Sequence, residues 1–274
     1  MTNPYTLPDG AVHIAFSGGR TSGYMLKQII DANNGLRDDV VVAFANTGRE
    51  LPETLDFVNE CSDKWGIDIA WLEYDLTPNG ENTFKVVSYE TASRNGEPFD
   101  LLINKYNRLP NAAQRFCTGN LKSQVARKYM KSLGYSFWYN TLGIRSDELR
   151  RVKDSDVKYI KNWFPIADAG HDKQHVSKFW KSSNFDLNLP LINNKTAKGN
   201  CDFCFLKSEA SLAVMFREYP DRGKWWVNAE NRTGQDFVEG RTFTSLFDFV
   251  DKQMDWIFDD DSFLCQKDGG ECTG

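Results

Sequence analysis

Two short constellations carry most of the chemistry open to this 274-residue chain. The first is Ser17-Gly18-Gly19-Arg20-Thr21-Ser22, which gathers three hydroxyls, two glycines and a guanidinium at one spot. Glycines let the backbone approach a ligand closely, and the first N–H groups of a helix attract anions. Arg20 adds a fixed charge with a bidentate fork. The stretch reads as a phosphate or pyrophosphate cradle. The second is Cys201-x-x-Cys204, which brings two thiols to one side of a tight turn, as zinc sites and iron–sulfur clusters both require. Such sites take four ligands. Cys117, in a basic stretch just before a helix, is the natural third, and Cys265 or Cys272, in a Gly-rich tail, is the fourth.

Charge adds a third feature. The net charge is −5, which argues against a protein coated in positive charge. Residues 105–153 nevertheless hold eleven Lys and Arg against only Asp147 and Glu148, a local net of +9. Solvated faces usually mix signs, so this segment points to an anionic ligand. Within it, Lys122, Arg145 and Arg150 stand out as cations that could stabilise developing negative charge. Arg145 follows a strand end, from which a side chain can reach a crevice. His13, inside a predicted strand, reads as a satisfied core histidine. Trp225-Trp226 could stack on a base or pack against the cysteine region.

The elements that must position these groups are legible from periodicity. Val12, Ile14 and Phe16 form an apolar β-branched and aromatic run that ends at the Ser17 loop, and residues 21–30 carry helical spacing. A second buried strand over 39–47 ends in the Asn46-Thr47-Gly48 turn. Helix 53–65 follows, with Pro52 at its start and Cys61 as a buried, inert thiol. Residues 67–74 make a third strand, residues 120–133 a basic amphipathic helix and residues 136–142 a fourth strand. Lys158–Ile166 is extended, and 175–181 is a short helix. Residues 79–114 are polar and weakly periodic. Alternating strands and helices predict an α/β fold: a parallel sheet sandwiched by helices, with ligands at the carboxyl ends of the strands. The texture changes near Asn184, which predicts an α/β domain over 1–183 and a cysteine-containing appendage over 184–274. No apolar run approaches the ~20 residues of a membrane helix, and no charged-then-apolar leader opens the chain, so a cytoplasmic protein with no membrane partner is expected. Six cysteines in such a compartment are not expected to form a disulfide framework.

The loop resembles the pyrophosphate-binding loop of the adenine nucleotide alpha-hydrolase superfamily, and no GxxxxGK[ST] occurs. Within it, the chain resembles the phosphoadenylyl-sulfate (PAPS) reductase family. The likeness rests on Arg115-Phe116-Cys117-Thr118 leading to Lys122, on Leu142-Gly143-Ile144-Arg145-Ser146-Asp147-Glu148 with Arg150, on Gly199-Asn200-Cys201-Asp202-Phe203-Cys204, on Gly223-Lys224-Trp225-Trp226, and on Glu271-Cys272-Thr273-Gly274. The usual loop has Lys and Asp where this chain has Arg20 and Thr21, and Thr273 replaces the glycine of the tail motif. The overall pattern is similar to PAPS reductase-like proteins of phages and mobile elements, which for a phage-encoded chain means the host cytoplasm.

This resemblance implies that Ser17, Gly18, Gly19, Arg20, Thr21 and Ser22 bind the phosphates of ATP or PAPS, with adenine near Ala45, Asn46, Thr47 and Gly48. It implies that Lys122, Arg145 and Arg150 act at the α-phosphate or its attached sulfate. It implies a [4Fe–4S] cluster on Cys117, Cys201, Cys204 and either Cys265 or Cys272, with zinc as the alternative. Cys272 could instead attack the sulfur of a bound phosphosulfate, a thioredoxin-like reductant then recovering it. Two other outcomes stay open: an ATP pyrophosphatase that activates a nucleic acid held by residues 105–153 for thiolation, and a nucleotide-binding sensor or defence module without turnover.

Overall fold

The computed structural model describes residues 3–192, 195, 196 and 198–252. Cys265 and Cys272 lie outside them, as does the Glu271–Gly274 motif. Strand β1 (Val12–Ala15) leads through the glycine turn into helix α1 (Arg20–Asn33), followed by β2 (Val40–Asn46), α2 (Pro52–Trp65) and β3 (Ile69–Leu76). Helix α1 ends at Asn34, in the left-handed conformation with φ 54°, and its N–H donates to the Ile30 carbonyl. Proline opens α2 and Gly66, at φ 60°, closes it. Cys61 lies fully buried on α2, and burial pushes its thiol well above the usual range, which makes it inert.

The polar stretch that showed little periodicity holds two further elements, β4 (Asn82–Val87) and α3 (Glu97–Tyr106). Strand β4 pairs antiparallel with β3 at the sheet edge and its side chains are only partly covered. A half-exposed edge strand lacks the apolar run of a central one, which is why it escapes detection. The basic helix is three pieces in one: α4 (Phe116–Thr118), a π-helical turn (Gly119–Gln124) and α5 (Val125–Ser132). Strands β5 (Trp138–Thr141) and β6 (Ile160–Trp163) complete a six-stranded sheet of order β4-β3-β2-β1-β5-β6, parallel except for β4. The chain runs outward from β1 to β3, then returns to β1's other side, so the topological switch falls at β1. Ligands of open parallel sheets bind there, beyond the carboxyl ends. This is the α/β fold expected from the strand–helix alternation.

After β6 come α6 (Pro165–Asp168), α7 (Lys173–Ser182), the short pair β7 (Leu191–Ile192) and β8 (Lys195–Thr196), then α8 (Glu209–Glu218), α9 (Pro220–Thr233) and α10 (Phe243–Lys252). Apolar side chains of α8–α10 join the sheet's core without a break, through Phe203, Phe216, Trp226, Phe237 and Phe243. Two ion pairs, one half-buried and one fully buried, attach this later chain to the strand ends. Arg20 of α1 pairs with Asp186, and Arg49, after β2, pairs with Asp202 at 2.6 Å.

Asp202 is fully buried inside the Cys201–Cys204 turn. Its carboxylate accepts from Arg49, from Arg222 Nε at 2.6 Å, from Trp226 Nε1 at 2.8 Å and from its neighbour's amide, Phe203 N, at 2.8 Å. Its own N–H donates to the Arg49 carbonyl at 2.7 Å. Removing one partner of such a set leaves buried cations uncompensated. Asp202→Ala is therefore expected to cost about 3–5 kcal/mol of folding stability, read by urea unfolding. A cost below ~1 kcal/mol would mean the ion cluster does not hold the turn.

Candidate functional site

The glycine turn is shaped by both backbone and packing. Gly18 has φ +73°, and a Cβ there would approach Thr54 Cγ2 to 2.7 Å and Val58 Cγ2 to 3.0 Å. No side chain caps the first turn of α1 at Gly19, and no acidic residue lies in that turn. The helix start therefore keeps its positive end toward the loop. Ser17 and Ser22 cross the turn, with their hydroxyls 2.9 Å apart, and Ser17 N donates to Ser22 Oγ at 3.2 Å. Ser22 Oγ also donates to the Gly19 carbonyl at 3.0 Å.

A cleft of about 340 Å³ opens from this turn along one face of the sheet. Its floor alternates residues from adjacent strands: His13, Ala15 and Ser17 of β1 and its loop, Ala43 and Ala45 of β2, and Asn140 and Leu142 from β5 and its end. Alanines on the floor leave the depth that larger side chains would fill. The roof is the π-helical turn and α5, which contribute Lys122, Ser123, Ala126 and Arg127. The wider π turn places Lys122 and Ser123 side by side over the sheet, a geometry common at functional sites. Lys122, a predicted site residue, thus faces Ser17 and Ser22 across one cavity.

The other predicted cations are placed differently. Arg20 is buried and turned into the protein: Nε donates to Asp186 at 2.6 Å, Nη2 to Asp186 and to the Leu189 carbonyl at 2.7 Å, and Nη1 to Thr196 Oγ1 at 3.0 Å. Its guanidinium clamps the later chain to the loop and does not form the phosphate fork that its position suggested. Arg145 is also buried. It donates to Thr21 Oγ1 at 3.1 Å and Asp147 at 2.9 Å, and pairs with Glu148 at 3.2 Å. It stands against the loop through Thr21, but two carboxylates meet its charge, and it does not line the cleft. Arg150 is exposed on the turn after it.

The end of β2 likewise departs from expectation. Ala45 lines the cleft, but Asn46 and Thr47 are buried beside it and serve the turn itself. Asn46 Nδ2 donates to Glu73 at 2.7 Å and to the Ser93 carbonyl at 2.8 Å, while its Oδ1 accepts from Gly48 N at 3.1 Å. Thr47 donates to Glu50 through both N and Oγ1 at 2.9 Å. Gly48 approaches Gly96, its would-be Cβ only 2.9 Å from that backbone nitrogen. These residues build the rim, and of the stretch 45–48 Ala45 is the residue that lines the cleft.

The cysteine turn lies at the same end of the sheet. Thr47 Oγ1 is 3.6 Å from Cys201 Sγ, and Cys204 N donates to the Cys201 carbonyl at 3.3 Å. Cys117 begins the helical run that leads into β5, so that run lies antiparallel to the strand and Cys117 sits toward the carboxyl ends. Among the described residues no three His, Cys, Asp or Glu side chains close into a group able to hold a metal. The CxxC turn thus fits half of a four-thiolate set. Trp226 is buried on Asp202, and Trp225 donates to Asp100 at 2.9 Å beneath the Arg49 guanidinium, so both serve packing.

One group missed in the sequence emerges here. His13 is 4% exposed, yet its Nε2 has no hydrogen-bond partner among the described residues, and its ring lines the cleft. A histidine at a regular strand position gives no sequence signal of this. The informative fact is which strand lies opposite.

A family model for the phosphoadenosine phosphosulfate reductase domain matches residues 11–188, which include the loop, the cleft floor and Lys122 but not Cys201 and Cys204. An uncharacterized nin region protein of Escherichia phage lambda is 30% identical over 238 residues, 84% of this chain and 77% of that protein. An uncharacterized protein of Methanocaldococcus jannaschii is 24% identical over 241 residues, 82% of this chain and 49% of its own length, so the chain spans about half of that relative. The crystal structure of phosphoadenylyl-sulfate reductase from Candida auris, a phosphate complex, superposes with a TM-score of 0.40 and 19% identity over 64% of this chain and 73% of that one. Among the described residues no helix is long and apolar enough to cross a membrane. With a family match across the whole sheet and a phage relative aligned over most of both lengths, the chain belongs to the phosphoadenosine phosphosulfate reductase domain family.

Proposed function

We propose that this protein is a PAPS reductase-like enzyme that binds an adenine nucleotide along the cleft and acts at its α-phosphate or the sulfate attached there. The observation that carries the reading is the single cavity shared by Ser17, Ser22 and Lys122. Phosphates belong at the loop, where helix amides and hydroxyls converge. Lys122 on the roof stabilises the negative charge that grows on the departing phosphate oxygen. Arg145 acts through Thr21, holding the start of α1 in place, and Arg150 stands at the rim for an anionic group reaching out of the cleft.

In the reductive route the Cys272 thiolate attacks the phosphosulfate sulfur. The S–O bond to phosphate breaks, adenosine bisphosphate leaves, and a cysteine S-sulfonate remains. A dithiol of the thioredoxin class then attacks the Cys272 sulfur, releasing sulfite and ending as a disulfide with Cys272 restored. Cys117, Cys201 and Cys204, with Cys265 or Cys272, would hold a [4Fe–4S] cluster or, alternatively, zinc. A cluster bound there would organise the substrate or carry sulfur. Cys272 can serve as nucleophile only where Cys265 is the fourth ligand.

A second reading has its own support. Arg127, beside Lys122 in the roof, belongs to the basic segment 105–153. The cleft therefore adjoins positive charge suited to a nucleic acid. In that reading ATP is cleaved to AMP and pyrophosphate to activate the nucleic acid for thiolation, and binding weakens steeply with salt.

Anaerobically purified protein given PAPS and ATP separately distinguishes these. Sulfite from PAPS is the expected outcome. Pyrophosphate from ATP with a nucleic-acid acceptor supports the second reading, and binding without either product marks a sensor and overturns both. Lys122→Ala is expected to lower kcat about 100-fold while nucleotide binding persists. Equal kcat would remove Lys122 from the reaction. Cys117→Ser and Cys204→Ser are each expected to lower bound iron and sulfide, and full metal retention in both would overturn the ligand set.

A further inference from the structure

The helical run that roofs the cleft begins in an exposed patch of aromatic rings and cations. Tyr106 closes α3, and Phe116 opens the run that carries Lys122. Their rings meet edge to face, with centroids 5.5 Å apart and planes at 60°. Arg108 sets its guanidinium carbon 4.8 Å from the centre of the Phe116 ring and 5.9 Å from that of Tyr106. Lys105 Nζ lies 5.7 Å from the Tyr106 centre. Tyr106 is 36% exposed, yet its hydroxyl accepts from Asn82 Nδ2 at 3.3 Å and donates to Asn120 Oδ1 at 3.4 Å. Those bonds tie the ring to the edge strand and to the π turn. A ring tethered at its tip while its body meets solvent is ordered before any ligand arrives, which lowers the entropy lost on binding.

A single exposed aromatic needs no explanation, but the charge around this pair does. Lys105, Arg108 and Arg115 are all exposed, and Arg115 immediately precedes Phe116. Lys105 donates to the Gly80 carbonyl at 2.9 Å and to Asn82 Oδ1, and Arg108 donates to Gln114 Oε1 at 3.1 Å. These acceptors are neutral, so they leave the cationic charge uncompensated. Residues 105–146 contain no Asp or Glu, in a chain whose net charge is −5. Surfaces that serve only solubility mix their signs.

The pairing of rings with cations discriminates between anionic partners. An acidic peptide would use the cations and gain little from the rings. A duplex presents phosphates but keeps its base faces inside the stack. A single strand offers both phosphates and open base faces, which stack on aromatic rings and on guanidinium planes. Phe116 precedes Lys122 by six residues. Along a helix that is roughly 9 Å, so a strand stacked at the rings is within reach of the cleft.

We propose that Tyr106, Phe116 and Arg108 form a stacking platform for a single-stranded nucleic acid, with Lys105 and Arg115 on its phosphates and the strand leading along the roof toward Lys122. This rests on the nucleic-acid reading above and names the form of the partner and the place where it docks.

The test is fluorescence anisotropy of the full chain with labelled oligo(dT), oligo(U) and a DNA duplex of equal length. Wild type is expected to bind at least one single strand about tenfold more tightly than the duplex, and comparison of the two strands tells a DNA partner from an RNA. Tyr106→Ala is expected to weaken single-strand binding about tenfold with little change for the duplex, whereas Tyr106→Phe, which keeps the ring, binds as wild type does. Arg115→Gln is expected to reduce the slope of log affinity against log salt by about 0.7. Unchanged single-strand affinity in Tyr106→Ala, an equal loss for strand and duplex, or a duplex bound as tightly as either strand overturns the platform and leaves the nucleic-acid reading intact. Polyglutamate of matched charge binding as tightly as the single strands marks a site for acidic protein and overturns the proposal. Absence of binding to all three nucleic acids overturns both the platform and the reading beneath it.

Discussion

A fully buried carboxylate, Asp202, ties the second half of this molecule to the strand ends of the first. It lies between the two cysteines of the CxxC turn and accepts from two arginines, one after β2 and the other on α9. Isolated buried charges are prohibitively expensive, so such a group persists only where its partners are positioned by other elements. The requirement is reciprocal. Arg49 can be buried because Asp202 is there, and Arg222 reaches across to the Glu50 carbonyl at 2.7 Å in the same network. The cysteine turn consequently stands at the mouth of the sheet because of its charge, with the thiols carried along. Arg20 and Asp186 repeat the device at the glycine loop.

This double attachment changes how the basic residues are understood. In a nucleotide site, arginines near a phosphate loop are natural ligand contacts. Here Arg20 and Arg145 are matched by Asp186, Asp147 and Glu148, and their fork geometry serves to fix the loop from behind and from the side. Ser17 and Ser22 of the loop line the cleft instead, with Lys122 and Arg127 above them and Asp154 and Asp156 also on its wall. Rigid support behind a small number of converging donors is the arrangement electrostatic catalysis requires, because preorganised groups need no rearrangement as charge develops.

The roof and floor of the cleft follow from two local irregularities. A π-helical turn over 119–124 widens the helix where Lys122 projects. On the floor, three alanines and a histidine occupy positions at which a buried parallel sheet ordinarily carries large aliphatic residues. The cavity therefore exists because the floor side chains are small. The histidine among them is oriented by a hydrogen-bond chain through Asn140 and Asn162 that ends on the Lys153 carbonyl.

Local chemistry in the chain was sufficient to reveal the strand–glycine–helix unit, the alternation that makes a parallel sheet, the CxxC turn and Lys122, because each depends on neighbours within a few residues. The π turn lay inside a stretch read as a regular helix, and β4 lacked a burial pattern because it is a half-covered edge. Arginine at position 20 reads as an anion ligand until the carboxylate opposite it is known, and that partner lies 166 residues away. His13 read as a satisfied core residue for the same reason. Its register partner Asn140 is 127 residues distant, and only strand pairing determines that one ring nitrogen is bonded while the other is buried without a partner among the described residues. Sequence order specifies which groups exist and what each can do; whether a charge or lone pair is left for a ligand is decided by long-range pairing, which tertiary structure alone supplies.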